Sequence, residues 1–295
     1  MPAFSGSYTA IATPWTADGA GIDWKSLNAL IDRQMEGGTD GIVPAGSTGE
    51  AATLTHAEQG ELVAKTVERV AGRARVFAGA GSNSTAEAIG LARQAHQAGA
   101  DGLMVITPYY NRPTPEGLYR HFMAIAEATP LPIMLYNIPS RTGTNMLPAT
   151  VARLRAACDR FAAIKEGSGN VEQAAQIIDE SDILVFSGDD SLALPMMSLG
   201  AVGVVSVAGN IFPALVKSLT ASALSGDFAA ARKMHYRLMP LVRALFLETN
   251  PGPLKKALFM FGIGNGVLRP PLAPPGPAVE KALGMAIFEE VLPAM

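Results

Sequence analysis

The sequence predicts an α/β fold, a (β/α)8 barrel (TIM barrel) with a C-terminal helical domain, and three observations support this. Between residues 8 and 207, eight short apolar, β-branched runs alternate with longer stretches of helical spacing. The runs are almost continuously apolar, as expected for parallel strands whose two faces are both covered. The first run ends at Thr13-Pro14-Trp15, without the glycine-rich turn that usually follows the first strand of an open doubly wound sheet.

The eight predicted strands are short and end in turns or polar residues. A barrel of this kind typically needs ~250 residues, so the chain of 295 residues is long enough to form it. The strands are predicted over residues 8–13, 41–44, 75–79, 102–107, 133–137, 161–165, 183–187 and 203–207.

Helical spacing between the strands is clearest over residues 55–71 and 85–99. The second of these helices is predicted to begin at Ser84 or Thr85, with Glu87 in its first turn, because hydroxyl side chains cap helix N-termini. A third helix, over residues 148–158, contains Cys158.

After Ala208 the alternation stops and four consecutive helices are predicted. They exceed what a barrel needs, so we expect a helical appendage at the C-terminal end. We draw the domain boundary after residue 225, with a barrel domain that carries the active site in residues 1–225 and a C-terminal helical domain in residues 226–295. The four helices cover residues 213–225, 227–246, 253–261 and 277–292, and the proline-rich segment 269–277 precedes the last.

The composition excludes several classes of protein. The chain is 48% hydrophobic and 17% charged, so it can bury a sizeable core. Its net charge is −3 and it has no basic block, which argues against a nucleic-acid partner. One cysteine, Cys158, excludes a disulfide framework, and four scattered histidines argue against a zinc site. The N-terminus shows no signal-peptide pattern, so we expect a cytoplasmic protein.

One uncharged segment is long enough to span a bilayer, but its sequence does not predict a membrane helix. Residues 191–216 contain no charged side chain. Pro195, Gly200, Gly209 and other breakers interrupt the segment, and residues 203–207 read as a buried strand between two turns. We therefore expect no membrane partner.

Active sites of (β/α)8 barrels lie at the C-terminal ends of the strands. The second strand is followed by Gly46-Ser47-Thr48-Gly49-Glu50, whose exposed N–H groups could hold a carboxylate or phosphate. It is not a phosphate-binding Walker loop, because no lysine follows the second glycine. The alternative is a plain turn that caps the next helix.

Tyrosines and an arginine follow the fourth and fifth strands. Tyr109 and Tyr110 come after the fourth strand, Tyr136 lies near the end of the fifth, and Arg141 follows it. The tyrosines could serve the site or could anchor the edge of the core. Arg141 could bind a carboxylate through two parallel hydrogen bonds or could be an ordinary surface arginine.

The sixth strand ends in Lys165, which alternation places on the same face as Phe161 and Ala163. A lysine directed into the barrel mouth is poorly solvated, which favours its neutral amine. A neutral amine can attack a carbonyl and form a Schiff base. The alternative is a structural lysine paired with a carboxylate such as Glu166.

The seventh strand is followed by Gly188, Asp189 and Asp190. Two carboxylates resemble a metal site, but hard cations prefer several oxygen ligands. We therefore interpret Gly188 as making room at the barrel mouth and the two aspartates as helix caps, with a metal site as the alternative. Cys158 lies away from every strand end, so we assign it no catalytic role.

These residues resemble those of the pyruvate-dependent class I aldolase superfamily, which includes dihydrodipicolinate synthases and N-acetylneuraminate lyases. Within it the chain is most similar to the dihydrodipicolinate synthase family, from residues 6–10 to residues 268–272. The resemblance implies a barrel with a helical C-terminal domain. It also implies condensation of pyruvate with L-aspartate 4-semialdehyde, through a lysine Schiff base and enamine, in lysine (diaminopimelate) biosynthesis, without a metal or organic cofactor.

The resemblance also assigns roles to the residues around the imine. Lys165 matches the Schiff-base lysine, and Tyr136 matches the phenol beside the imine. Ser47 and Thr48 match the loop whose N–H groups hold the pyruvate carboxylate. Thr48 would link Tyr136 to Tyr110 in a proton relay, and in this family the second tyrosine comes from a neighbouring subunit.

The aldehyde is assigned through Arg141, which matches the arginine that receives the carboxylate of aspartate semialdehyde. Gly188 and Val205 match positions that line the pyruvate pocket. Sialic-acid lyases usually lack this arginine, whereas Ser47 stands where synthases more often have threonine. The alternatives are another Schiff-base aldolase, of the N-acetylneuraminate lyase, 2-keto-3-deoxy sugar acid or 4-hydroxy-2-oxoglutarate type, and a catalytically silent homologue. The catalytic positions are all present, which argues against a silent homologue.

The resemblance finally implies a homotetramer, arranged as a dimer of dimers, and a regulatory site for lysine at a subunit interface. Ala51 and Gln59 stand where lysine-sensitive bacterial members often have serine and histidine, so inhibition by lysine stays open. The positions that match the regulatory site are His56, Asn83, Glu87 and Tyr109.

Overall fold

The computed structural model describes residues 4–291, and within them eight parallel strands form one closed barrel. Strands that follow one another along the chain are paired, and β1 pairs with β8 to close the ring. The predicted (β/α)8 barrel is therefore confirmed. The strands are β1 Gly6–Ala10, β2 Gly41–Val43, β3 Arg75–Gly79, β4 Gly102–Ile106, β5 Ile133–Asn137, β6 Phe161–Glu166, β7 Leu184–Ser187 and β8 Gly203–Ser206.

Helices follow every strand and form the outer ring. The predicted helices over residues 55–71 and 85–99 are confirmed to within two residues at each end. Thr55 and Glu58 form a reciprocal capping box, and Ser84, not Thr85, caps the next helix by accepting from Glu87 N. The helices are α1 Trp24–Glu36, α2 His56–Val70, α3 Thr85–Gln97, α4 Pro115–Glu127, α5 Pro139–Thr142, α6 Pro148–Ala157, α7 Val171–Glu180, α8 Ala193–Ser198, α9 Pro213–Leu224, α10 Phe228–Leu245, α11 Gly252–Met260 and α12 Pro277–Val291.

The first of the four C-terminal helices is part of the barrel. Helix α9 packs against β1, β8 and α1, so it is the eighth helix of the outer ring, and the expectation that all four helices lie outside the barrel is wrong for this one. Helices α10, α11 and α12 pack mainly on α9 and on one another. The boundary that we proposed after residue 225 falls between α9 and α10, and the predicted end of the last helix at Leu292 lies outside the described residues.

The barrel interior is filled at its N-terminal part by aromatic side chains. Tyr8 meets Phe77 and Phe186 edge-on, with ring centroids 5.7 and 5.1 Å apart. Phe186 is the register partner of Lys165 on the neighbouring strand β7, so an aromatic residue lies beside the lysine. A larger apolar cluster fills the space between the strands and the helices.

The uncharged segment over residues 191–216 runs through helix α8, strand β8 and the start of helix α9. The strand predicted over residues 203–207 is confirmed as Gly203–Ser206, buried throughout. None of the helices in the described part of the chain is long and apolar enough to cross a membrane.

Candidate active site

Lys165 and Tyr136 stand side by side on neighbouring strands. They are paired in the register of β5 and β6, and Lys165 Nζ lies 4.2 Å from the centroid of the Tyr136 ring. Both side chains are buried, with 5% and 4% of their surface exposed. The structure therefore brings together the predicted nucleophile and the predicted phenol at the C-terminal end of the barrel.

The prediction that Phe161 shares the inner face with Ala163 and Lys165 is wrong. The register of β5 and β6 shifts between Ile133 and Met134, and this irregularity turns Phe161 outward. Phe161 packs edge-on against Phe122 of helix α4, with ring centroids 6.4 Å apart. A register shift leaves no mark in the alternation of one strand, so the sequence gives no signal of it.

Glu166 is directed away from Lys165, to the outer side of β6. Its carboxylate accepts hydrogen bonds from Asn137 Nδ2 (3.0 Å), Gln173 Nε2 (3.2 Å) and Ser168 N (2.7 Å). The alternative in which Lys165 pairs with Glu166 is therefore wrong. Within residues 4–291 no carboxylate forms an ion pair with Lys165, so its amine is not tied to a counter-ion there.

The loop after β2 has the geometry of an anion cradle. The N–H groups of Ser47 and Thr48 donate to no atom of the described residues. The loop itself is closed by Glu50 N, which donates to Ser47 O (3.1 Å), and by Ala51 N, which donates to Gly46 O (3.1 Å). Two adjacent unbonded N–H groups in a tight turn can bind a carboxylate.

The described residues show no hydrogen bond between Thr48 and Tyr136. Thr48 Oγ1 instead accepts from Asn250 Nδ2 at 3.0 Å. The backbone oxygen of the same asparagine accepts from Arg141 at 3.0 Å. Sequence analysis did not identify Asn250, because it lies 202 residues from Thr48 and its Asn-Pro dipeptide reads only as a turn.

Tyr110 does not reach the site of its own chain. Its backbone has φ +74°, and 89% of its side chain is exposed. The ring therefore faces solvent and lies outside the site that its own chain forms. The neighbouring Tyr109 is 39% exposed and lines the cavity beside the site.

A cavity of about 310 Å³ opens beside Tyr136. Its wall contains residues predicted for substrate binding and residues predicted for regulation: Ser47, Tyr136, Arg141, His56, Glu87 and Tyr109. Asn83 lies nearby, where its backbone oxygen accepts from Asn111 Nδ2 (2.8 Å). A groove of about 860 Å³ lies at the opposite end of the barrel, but its arginines are paired with aspartates, and (β/α)8 barrels do not carry active sites there.

Gly188 and Val205 both lie in the barrel near the site. A side chain at Gly188 would meet Gly167 Cα at 2.7 Å and Glu166 O at 2.9 Å. Glycine is needed there because neighbouring backbones approach closely. Val205 is fully buried in the same interior cluster as Tyr136.

The two aspartates after β7 play different parts. Asp190 accepts from Ser206 Oγ, Val207 N and Ala208 N, so its carboxylate ties the segment after β8 to the segment after β7 instead of capping the helix that follows β7. Asp189 stands at the N-cap position but makes no side-chain capping bond, so the predicted role of the two aspartates as helix caps is wrong. Burial raises the pKa of Asp189 to about 6, and the charge of Lys165 partly opposes this.

Among the described residues, the two aspartates belong to no cluster of potential metal ligands. In the part of the chain that the structure describes, no group of three or more His, Cys, Asp or Glu side chains is arranged to hold a metal ion. Cys158 follows helix α6, at its C-terminal end and away from the barrel mouth. 

A buried ion pair behind the Ser47–Thr48 loop was also not predicted. Lys255 of helix α11 pairs with Glu50, and both side chains are almost completely buried. Trp15 Nε1 and Arg269 N donate to the same carboxylate at 2.9 and 3.1 Å. The partners lie 35 to 219 residues apart in the chain, and no spacing rule connects them.

Comparisons with known proteins agree with the barrel fold. A family model described as "Dihydrodipicolinate synthetase family" matches residues 3–287. A 4-hydroxy-tetrahydrodipicolinate synthase of Nitratidesulfovibrio vulgaris (strain DSM 19637 / Miyazaki F) is 47% identical over 282 residues, which are 95% of this chain and 96% of that protein.

Two solved structures are similar over almost their whole length. A dihydrodipicolinate synthase from Acinetobacter baumannii, complexed with pyruvate, has a TM-score of 0.94 and 40% identity, and the match covers 97% of this chain and 98% of that one. DHDPS from Cyanidioschyzon merolae with lysine bound has a TM-score of 0.94 and 42% identity, with 98% and 99% covered.

Proposed function

The chain belongs to the dihydrodipicolinate synthetase family, and we propose that it condenses pyruvate with L-aspartate 4-semialdehyde in lysine (diaminopimelate) biosynthesis. The observation that carries this proposal is the buried, unpaired Lys165 beside Tyr136 at the C-terminal end of the barrel. The enzyme is a lyase that forms a Schiff base. Relatives that match over 95% of the chain are named as synthases, which favours this function over another pyruvate aldolase.

The first step joins pyruvate to Lys165. The neutral amine attacks the ketone carbon, a carbon–nitrogen bond forms, and the ketone oxygen leaves as water. Loss of a methyl proton then turns the imine into an enamine, whose terminal carbon is the nucleophile. Lys165 itself serves as the electron sink, so the proposed chemistry involves no metal or organic cofactor.

The loop and the phenol support this step. The unbonded N–H groups of Ser47 and Thr48 would hold the pyruvate carboxylate. The Tyr136 phenol, which adjoins the amine, would move protons to and from the reacting atoms. Exchange of these protons with solvent would run through Thr48 and through Tyr110 of a neighbouring copy.

The second step forms the new carbon–carbon bond. The enamine attacks the aldehyde carbon of the semialdehyde, and the substrate's own amine then displaces Lys165 and closes the ring. Arg141 would bind the carboxylate of the semialdehyde, since it lines the cavity beside Tyr136. Positioning two substrates in this way can supply up to ~7–11 kcal/mol of barrier reduction.

We also propose a cytoplasmic homotetramer, arranged as a dimer of dimers. The exposed Tyr110 supports this proposal, because 89% of its surface is open to solvent on its own chain and its ring would complete the relay of another. The pairing of two copies through the same surface is the commonest symmetry of soluble oligomers.

Inhibition by lysine is proposed at the cavity wall formed by His56, Glu87 and Tyr109, with Asn83 nearby. Glu87 suits the ammonium group of an amino acid, and the other side chains offer polar contacts. Initial rates against added lysine test this. A falling rate supports regulation, whereas a flat rate removes it without affecting the catalytic proposal.

The main proposal is tested by turnover of purified protein with pyruvate and aspartate semialdehyde, next to N-acetylmannosamine, glyoxylate and glyceraldehyde. We expect rapid turnover when pyruvate is paired with aspartate semialdehyde, and not when it is paired with any of the other three aldehydes. Borohydride should trap pyruvate on the wild type and on Lys65→Ala, an exposed-lysine control, but not on Lys165→Ala. Trapping on another lysine would overturn the assignment, and faster turnover with another aldehyde would change the substrate.

A further inference from the structure

Asn250 links the C-terminal region to both halves of the site. It lies between helices α10 and α11 and only 6% of it is exposed. Its side-chain nitrogen donates to Thr48 Oγ1, and its backbone oxygen accepts from Arg141, each at 3.0 Å. We propose that Asn250 is a positioning residue that sets the direction in which the Thr48 hydroxyl donates its proton, an inference that rests on the proposed function.

The stereochemistry of a hydroxyl group leads to this inference. Threonine offers one O–H donor and two acceptor lone pairs. Asn250 Nδ2 occupies a lone pair of Thr48 Oγ1, so the hydroxyl proton must be directed elsewhere. No atom of residues 4–291 accepts that proton, which leaves it available to the phenol of Tyr136 or to the neighbouring copy. The Asn250 amide thus fixes the direction in which the Thr48 hydroxyl donates its proton along the relay.

A second observation distinguishes Asn250 from a purely structural asparagine. Its Oδ1 is buried and has no hydrogen-bond partner within the described chain. Buried side-chain oxygens are normally bonded, and an unbonded one in a native structure calls for a functional explanation.

The Asn250→Asp variant tests the direction of the hydrogen bond to Thr48 separately from the shape of the side chain. The two side chains have nearly the same size, but an ionised carboxylate can only accept, so Thr48 would have to donate toward it and the relay would be reversed. We expect kcat to fall roughly 10²-fold, within the range that general acid–base catalysis supplies. The KM for pyruvate should change little, because the N–H groups of Ser47 and Thr48 and the backbone oxygen on Arg141 remain in place.

The pH profile adds a readout that a structural defect would not move. A protonated carboxyl group regains one O–H donor, so the activity of Asn250→Asp relative to the wild type should rise as the pH falls. Asn250→Ala should lose a similar factor in kcat but show no recovery in acid. Borohydride trapping of pyruvate should persist in both variants, because the Schiff base itself does not need the relay.

Two further variants complete the experiment. Asn170→Asp, at the exposed N-cap of helix α7, is the matched control and should keep wild-type kinetics, since aspartate caps a helix as well as asparagine does. In a Thr48→Val background, Asn250→Asp should cause no further loss, because both changes act through one hydroxyl.

The outcomes separate this inference from the proposed function. Wild-type kcat in Asn250→Asp, a loss without recovery in acid, or additive losses with Thr48→Val would overturn the role of Asn250 and leave the proposed function intact. A wild-type protein that does not turn over pyruvate with the semialdehyde would overturn both.

Discussion

The two substrates are proposed to be handled by different residues, and this division can be measured. Lys165 is placed to bind pyruvate covalently, whereas Arg141 lies on the cavity wall, where one of its nitrogens is bonded to Asn250 O. Its remaining N–H groups can bind a carboxylate of the incoming aldehyde.

Arg141→Ala should therefore impair use of aspartate semialdehyde and leave imine formation with pyruvate largely intact. We expect kcat/KM for the semialdehyde to fall roughly 10- to 150-fold, as for the loss of a hydrogen bond to a charged group. Steady-state kinetics and borohydride trapping measure the two effects, with Arg153→Ala on the exposed face of helix α6 as control. Equal loss of both activities would mean that Arg141 is structural.

His121 of helix α4 is a second residue with a measurable consequence. It is buried, its Nδ1 lies 2.9 Å from Thr85 Oγ1, and its Nε2 has no partner in the described part of the chain. Burial lowers the pKa of His121 to about 4. The unfolded chain takes up the proton near pH 6.5, so the folded state loses stability as the pH falls from 6.5 to 4.

The free energy of unfolding should therefore decrease in acid by up to about 3 kcal/mol through this residue. Urea unfolding at pH 7 and pH 4.5 measures the decrease. His121→Gln should reduce the difference between the two pH values, whereas His96→Gln, on the exposed face of helix α3, should not. The same pH dependence in wild type and His121→Gln would show that another group is responsible.

Single residues at strand ends were the most predictable part of the site. Strand alternation singles out Lys165, and the rule that barrel chemistry lies at the C-terminal ends makes Tyr136 and Arg141 candidates, whereas their roles came from the family resemblance. Phe161 was misplaced, because the register shift depends on the neighbouring strand β5. The two aspartates after β7 were misassigned as helix caps, since Asp189 makes no capping bond and Asp190 accepts from residues after β8.

Among the elements, the loop after β2 depends on helix α11. Glu50 ends the loop in a left-handed conformation (φ +55°), and its carboxylate pairs with Lys255 from that helix. Trp15 also donates to this carboxylate. Burial lowers the pKa of Lys255 to about 8, and Glu50 opposes the shift. The C-terminal helices therefore hold the loop that carries Ser47 and Thr48.

Lys255→Met should destabilise the protein by about 3–5 kcal/mol, because it leaves a buried carboxylate without its cation. The double variant Glu50→Gln with Lys255→Met should recover most of this loss, since no unpaired charge remains. Urea unfolding measures both, and Lys256→Met, which removes a more exposed pair with Glu280, is the control. A double variant no more stable than Lys255→Met would show that the packing of Lys255, rather than its charge, matters.

For the whole molecule, the barrel was predictable because its strands pair in chain order. Each strand–helix unit follows from local spacing, and closure of the ring needs only β1 beside β8. Helix α9 was misread because its spacing resembles that of the helices after it, and only packing on β1 and β8 separates it from them. The bonds from Asn250 to Thr48 and from Lys255 to Glu50 join residues 202 and 205 positions apart, which no local pattern indicates.

The exposed ring of Tyr110 makes a prediction about the assembly. If the relay of one copy is completed by Tyr110 of another, then Tyr110→Phe and Lys165→Ala should each be strongly impaired alone but should complement each other when co-expressed. A mixed pair consists of one copy of each variant. In it, the Tyr110→Phe copy keeps Lys165 and receives an intact Tyr110 from the Lys165→Ala copy, so one of the two sites is complete.

Random pairing gives about half mixed pairs with one working site each, so about a quarter of the wild-type activity should return. Co-expression with differently tagged copies, tandem purification and a turnover assay measure this, and co-expressed Lys165→Ala with Lys165→Ala/Tyr110→Phe is the matched control. That control should stay inactive, since no copy can form the imine. If the mixture of Tyr110→Phe with Lys165→Ala also stays inactive although mixed pairs are recovered, Tyr110 acts within its own chain and not in a neighbouring copy. In that case both sites of every mixed pair are defective.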